Sequence, residues 1–271
     1  MTGVMRLTMV LAACAASLAC GAAPAAAAPT WAPAADAAIH PGVNTTTGDA
    51  SCTSNFIFRN RGNVLIGQAA HCSGTGASTE TDGCKSKSLP EGTAVTVDGA
   101  KKPGKLVYNS WIRMQARGEK DPDTCAFNDL ALVKLSKADA AHVNPSIPEF
   151  GGPVGLSAGI SSGGAVFSYG NSAIRQGISL LSPKRGIQLG DTDGGGWNHT
   201  VITFSPGIPG DSGSAFLDSS GGALGILSTL DLLPTPGTNG VGDLGKELAY
   251  AKTFKRFKKL RLAKGTEPFT G

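Results

Sequence analysis

Along most of the chain the apolar residues fall in short runs broken by Gly, Pro, Asn and Asp, which is the pattern of β-strands joined by tight turns. Two such runs, 52–58 and 64–70, flank Arg59-Asn60-Arg61-Gly62-Asn63 and predict a hairpin. Two more strands are expected within 93–108, around Asp98-Gly99-Ala100-Lys101, and residues 118–124 read as a charged loop. Asp129 then enters an apolar strand running to Leu135. Residues 144–153 carry three prolines and read as a connection, after which 163–170, 175–182, 200–205, 214–218 and 223–230 predict a second set of strands. The period changes only at the end. Leu244, Leu248, Ala251, Phe254, Phe257 and Leu260 stand three or four apart among Lys and Arg, predicting an amphipathic helix over about 243–260 whose basic side is a solvated face.

Composition supports the strand reading, since 38 Gly and 16 Pro against only 6% aromatic residues suit many turns between short strands. With 41% hydrophobic residues over 271 positions, the chain can bury a core as one domain or as two packed halves, and an all-β architecture is expected.

Residues 1–28 hold one charge, Arg6, ahead of an Ala-rich apolar run, and read as a signal peptide; residues 29–49 read as a linker or short pro-region, and the domain is expected over 50–260. Leu11-Ala12-Ala13-Cys14 offers an alternative, a lipobox that would anchor the protein at the cell surface through Cys14. Otherwise a secreted protein is expected, and no later run is long enough for a second membrane span. Removing Arg6 lowers the formal charge from +4 to about +3, too mild a balance to imply nucleic acid.

Outside the leader, Cys52, Cys72, Cys84 and Cys125 remain, an even number that in an exported chain predicts two disulfides with three possible pairings. No Cys-x-x-Cys and no zinc-spaced His pair occurs, and the loop 191–196 lacks a calcium-ligand pattern. Neither metal nor cofactor is expected.

The chemistry centres on Gly207-Ile208-Pro209-Gly210-Asp211-Ser212-Gly213-Ser214. Glycines on either side of a serine allow a tight turn and close approach of a carbonyl. A serine nucleophile needs a base and an acid that orients the base, and the candidates occur in the order His71, Asp129, Ser212. All four histidines precede Ser212, which excludes the α/β-hydrolase order. Asp36 and Asp49 lie in loop sequence, so the subtilisin order has no support either.

Ala69-Ala70-His71-Cys72, Asn128-Asp129-Leu130-Ala131-Leu132 and Gly210-Asp211-Ser212-Gly213-Ser214 together resemble the three motifs of the chymotrypsin-like (trypsin-like, S1) serine peptidases, in an exported bacterial form. The resemblance implies two antiparallel six-stranded β-barrels, at about 50–145 and 146–240, with a C-terminal α-helix. It implies a catalytic triad of His71, Asp129 and Ser212, an oxyanion hole from the N–H groups of Gly210 and Ser212, and triad support from Ser228. It implies the pairings Cys52–Cys72 and Cys84–Cys125, and a shallow apolar P1 pocket around Pro206, Pro209, Leu227 and Leu230. A protein or peptide substrate, a proteinaceous inhibitor and a monomeric state follow from the same likeness. Two features depart from it. No Ile-Val-Gly-Gly stretch follows a basic site, so Asp211 needs another cation, for which Arg175 is the candidate; and Pro206 stands where trypsins have aspartate, which disfavours cleavage after Arg or Lys. A protease fold that has lost turnover and only binds is the competing reading.

Overall fold

The computed structural model describes residues 1–3, 30–77, 80–190, 195–231 and 237–271. The expected leader with Cys14 and Cys20, and residues 191–194 of the loop weighed for calcium, lie outside them.

Two antiparallel sheets carry the fold. The first contains β1 (Asn44–Thr47), β2 (Ala50–Thr53), β3 (Ile57–Asn60), β4 (Asn63–Ala69), β5 (Ala94–Val97), β6 (Gly104–Asn109) and β7 (Leu130–Lys134). The second contains β8 (Gly155–Leu156), β9 (Ala165–Tyr169), β10 (Pro183–Gly190), β11 (Asn198–Thr203), β12 (Ala215–Asp218), β13 (Gly222–Asp231) and β14 (Thr238–Asp243). A last short strand, β15 (Arg261–Leu262), returns to the first sheet beside β3, giving the order β15-β3-β4-β7-β6-β5-β1-β2. In the second sheet β12 pairs with both β9 and β13, which closes a six-stranded barrel with β8 as a parallel appendage. The first sheet has eight strands rather than the six expected, and the Cys52–Cys72 disulfide ties β2 to the turn after β4. The second disulfide joins Cys84 to Cys125.

Each sheet encloses its own apolar cluster, with Ile39, Ile57, Ile66 and Leu106 in the first and Val166, Phe216, Leu227 and Val241 in the second. A third cluster, including Phe56, Phe58, Tyr108, Phe150 and Phe167, spans the two halves. Fully burying side chains of this size contributes about 1.5–3 kcal/mol each, so this shared cluster helps hold the two halves together.

Several elements differ from expectation. Residues 44–47, read as linker, form β1 between β2 and β5, and Ile39 and Val43 ahead of it are buried. Two short helices flank Gly118, the second beginning within the stretch 118–124 expected as a charged loop. The first, α1 (Ser110–Arg117), is capped by the Asn109 side chain and ended by Gly118 in the left-handed conformation; the second, α2 (Pro122–Phe127), is capped by Asp121. Residues 175–182 form 3-10 turns rather than a strand. The C-terminal helix α3 (Leu244–Lys252) is shorter than its apolar repeat. Thr253 donates its hydroxyl to the Tyr250 carbonyl and Phe254 turns extended, so Phe254 and Phe257 leave the helix and pack edge-on against Tyr108.

Candidate active site

His71 lies in a 3-10 turn directly after β4, and Asp129 directly before β7. Those strands are paired in the register Ala69↔Leu130, which sets the two residues side by side. The Ala70 N–H donates to the Asp129 carbonyl, the His71 N–H to Asp129 Oδ1 at 2.9 Å, and His71 Nδ1 lies 2.7 Å from Asp129 Oδ2. One carboxylate thus holds both the backbone and the ring of the histidine. Asp129 is buried, and His71 is a quarter exposed. Burial works against protonation of His71, but the charge of Asp129 and the hydrogen bond to it prevail and hold the imidazole above its ordinary value.

The second half supplies the remaining parts. From β13, the Ser228 hydroxyl donates to Asp129 Oδ2 at 2.5 Å. Ser212 precedes β12, and its carbonyl accepts from Thr53 N–H at 2.9 Å, next to the disulfide that leads to Cys72 and His71. Gly213 has φ of +86°, and a Cβ there would stand 2.7 Å from the Thr53 carbonyl oxygen and 2.8 Å from the Ala69 nitrogen. Only glycine lets the serine turn approach the histidine strand this closely. The turn and the histidine segment meet through main-chain atoms, and the Ser212 hydroxyl makes no hydrogen bond among the described residues.

Two carbonyls of the turn are held by side-chain hydroxyls. Ser172 Oγ donates to Pro209 O at 2.5 Å and Thr53 Oγ1 to Gly210 O at 2.8 Å. The N–H groups of Ile208, Asp211 and Gly213 are satisfied, whereas those of Gly210 and Ser212 donate to no group among the described residues. Two unspent donors beside a serine are what an anion developing there requires.

Below the serine, Asp211 is wholly buried between two cations, with Arg175 Nη1 at 2.5 Å from Oδ1 and Lys184 Nζ at 3.0 Å from Oδ2. The N–H groups of Ser172 and Ile208 complete its shell. Burial alone would raise the Asp211 pKa, but Arg175, Lys184 and the Ile208 N–H together hold it below the usual carboxylate range. Burial likewise pushes Lys184 down, against the pull of Asp211. Lys184 could not be picked from the sequence, because it lies on β10, a strand whose inward positions are polar.

Two further buried groups also escaped sequence reasoning. Glu247 on α3 accepts the Asp129 N–H at 3.0 Å through Oε1, and Asn239 on β14 bonds the main chain at Gly207 and Thr229. Glu247 was legible in principle, since it sits three residues after Leu244 on the apolar stripe. Of the expected pocket residues, Leu227 is buried in the second barrel's core, Leu230 is 39% exposed, and the Pro206 carbonyl accepts from Arg175 and Lys184. Among the described residues, the clusters with metal-ligand spacing are built on the two disulfides.

The chain superposes on bacterial serine proteases of the chymotrypsin-like fold. Thermobifida fusca protease A superposes with a TM-score of 0.54 at 18% identity, covering 84% of this chain and 100% of that one. The Nocardiopsis protease NAPase gives 0.51 at 18%, covering 83% and 98%, and Cellulomonas bogoriensis chymotrypsin gives 0.50 at 17%, also covering 83% and 98%. No protein-family model and no curated protein sequence matches the chain.

Proposed function

We propose that the protein is a serine endopeptidase that cleaves peptide bonds through Ser212, His71 and Asp129. The observation that carries this reading is the Asp129-anchored imidazole beside a serine turn whose Gly210 and Ser212 N–H groups are unspent. The solved proteases that share the fold support it. Ser212 Oγ adds to the scissile carbonyl carbon while its proton passes to His71 Nε2, and the Gly210 and Ser212 N–H groups receive the oxyanion. His71 then gives that proton to the departing amine as the C–N bond breaks, leaving an ester on Ser212. Water repeats the sequence and releases the acid. Asp129 fixes the tautomer of His71, Ser228 holds Asp129, and each oxyanion donor contributes about 3 kcal/mol.

Asp211 bears on how the site is switched on. With Arg175 and Lys184 as its cations, the serine turn needs no newly cut N-terminus for its support. The same reading takes a protein or peptide as substrate. The two disulfides agree with an exported protein, and no helix among the described residues is long and apolar enough to cross a membrane.

The test is labelling of Ser212 by a fluorophosphonate probe. Labelling of the disulfide-intact protein that disappears in Ser212→Ala is the expected result; no labelling of folded protein would leave only a binding role for the fold.

A further inference from the structure

Seven of the chain's 24 Lys and Arg residues lie within 252–264, and the rest of the chain, with 17 basic residues against 20 acidic ones, is net negative. The sequence suggests that they line the solvated face of a helix, but α3 ends at Lys252. Past it the chain runs through a 3-10 turn (Lys255–Phe257) into β15, burying Phe257, Leu260 and Ala263 at three-residue intervals. Around these anchors Lys255, Arg256, Lys258, Lys259, Arg261 and Lys264 are exposed. None of the six forms an ion pair among the described residues.

The β3–β4 turn fastens this ridge and widens it. Arg61 Nη2 donates to the Lys255 carbonyl at 2.9 Å and Asn60 Nδ2 to the Arg256 carbonyl at 3.1 Å, and β15 pairs with β3 in the register Arg261↔Arg59. Two arginines therefore stand directly opposite, an arrangement that destabilises a strand pair. Burial, joined by the charge of Arg261, holds the Arg59 guanidinium below its ordinary value. Neither stretch that builds the ridge, 50–79 or 248–266, contains an Asp or Glu. Guarding a sheet edge explains basic residues on β15 itself, yet Lys255, Arg256, Lys258 and Lys259 precede that strand.

Fixed charge of one sign with no internal partner attracts a polymer of the other sign, which sheds its counterions on binding. We propose that the ridge binds an extended polyanion of repeated phosphate groups without bases, holding the protein on a phosphate-rich polymer. Its surroundings select this partner. None of the exposed large apolar residues lies in 50–77 or 244–271, so the ridge has no anchor to insert into a lipid bilayer. Its two aromatic residues, Phe254 and Phe257, pack against Tyr108, which leaves no ring on which nucleic-acid bases stack. Attraction to the phosphates themselves is what remains. The ridge uses no residue of the proposed triad, so the inference stands apart from the protease reading.

The experiment titrates the disulfide-intact full chain with long-chain polyphosphate, single-stranded DNA and phosphatidylglycerol vesicles at equal phosphate concentration. Polyphosphate is expected to bind most tightly, and with about six contacts its affinity should fall roughly 10²- to 10³-fold between about 50 and 200 mM salt. Lys258→Gln/Lys259→Gln/Arg261→Gln should weaken binding at least ~10-fold and reduce the slope of log K against log salt by about 2. Lys258→Gln/Lys259→Gln serves if the triple variant does not fold. Lys101→Gln/Lys102→Gln/Lys105→Gln removes as much charge around the β5–β6 turn, four strands away in the sheet order, and should leave affinity nearly unchanged. Absence of polyphosphate binding at low salt overturns the inference, and so does an equal loss in both triple variants, which would mean net charge alone. Tighter binding to the DNA or to the vesicles overturns the choice of partner.

Discussion

The Ser228 hydroxyl reaches across the boundary between the two sheets to Asp129 Oδ2, the same oxygen that faces His71 Nδ1. The acid that orients the histidine is thereby held from the opposite half of the molecule. A hydrogen bond to a charged group contributes about 1.5–3 kcal/mol. Ser228→Ala should accordingly lower kcat/KM by roughly 10- to 100-fold with KM little changed, since the hydroxyl touches no substrate. Steady-state kinetics on one peptide decide it, and a loss below about twofold would mean that the bond does not reach the chemistry.

Asp129 raises the His71 pKa against the opposing effect of burial. The free enzyme needs neutral imidazole, so the acid limb of kcat/KM should have its midpoint above the ordinary 6.5. In Asp129→Asn only the burial effect is left; the midpoint should drop, and turnover should fall by about 10⁴. Linkage gives a second reading. A raised histidine pKa stabilises the fold below its unfolded value and loses that contribution as pH rises through the folded one. The Tm deficit of Asp129→Asn should then be larger at pH 5 than at pH 9, and the reverse order would contradict the pairing.

How much of this was legible in the sequence depends on which side of each strand is apolar. The hairpin of β3 and β4 was, because Arg61 and Gly62 adopt the positive φ that a tight turn demands and the flanking residues are apolar. The residues proposed as the triad were legible too, because their motifs are local and their order is informative. Strand β10 was not. Its inward positions are Lys184 and Gln188, while Ile187 and Leu189 face outward, so the polarity pattern is inverted. Missing β10 meant missing Lys184. The same reason hid Asn239, which lies on β14, a strand of Thr, Asn, Gly and Asp around one Val that is held by pairing on both sides. Polar residues inside a barrel are placed by topology, and a local window does not contain topology.

Glu247 supplies a pH test that does not depend on turnover. Burial, joined by the charges of Asp129 and Asp243, pushes its carboxyl well above the ordinary range, while the Asp129 N–H opposes. Its Oε2 is buried without a hydrogen-bond partner among the described residues, as suits a group that keeps its proton. The folded state then binds more protons than the unfolded one above about pH 4.5, so stability from this group is present in acid and declines as pH rises. Glu247→Gln retains an acceptor for the Asp129 N–H and has no charge to bury. Its Tm should match the wild type near pH 4 and exceed it by a growing margin towards pH 8. Thermal melts across that range check this; a margin that shrinks with pH would mean Glu247 is ionised. Glu247→Ala, which orphans the Asp129 N–H, should instead cost about 1–3 kcal/mol near pH 4, a deficit that shrinks as pH rises because the titrating group is gone.

The cluster of Asp211, Arg175 and Lys184 sets one negative charge against two positive ones in a region closed to water. Removing the acid leaves two buried cations facing one another, and breaking buried pairs in this way costs about 3–5 kcal/mol. Lys184→Met leaves a neutral Asp211–Arg175 pair with a side chain of similar length in the vacated space, and Arg175 Nη2 still serves the Pro206 carbonyl. Asp211→Asn should therefore destabilise the protein much more than Lys184→Met in urea melts, although both change one charge. Labelling by fluorophosphonate should follow the same order, because Asp211 also holds the Ser172 and Ile208 N–H groups that shape the serine turn. Since every partner of Asp211 lies within the chain's interior, an added N-terminal tag should leave the labelling rate unchanged. A tag that abolished labelling would show that the support of the serine turn depends on a free N-terminus after all.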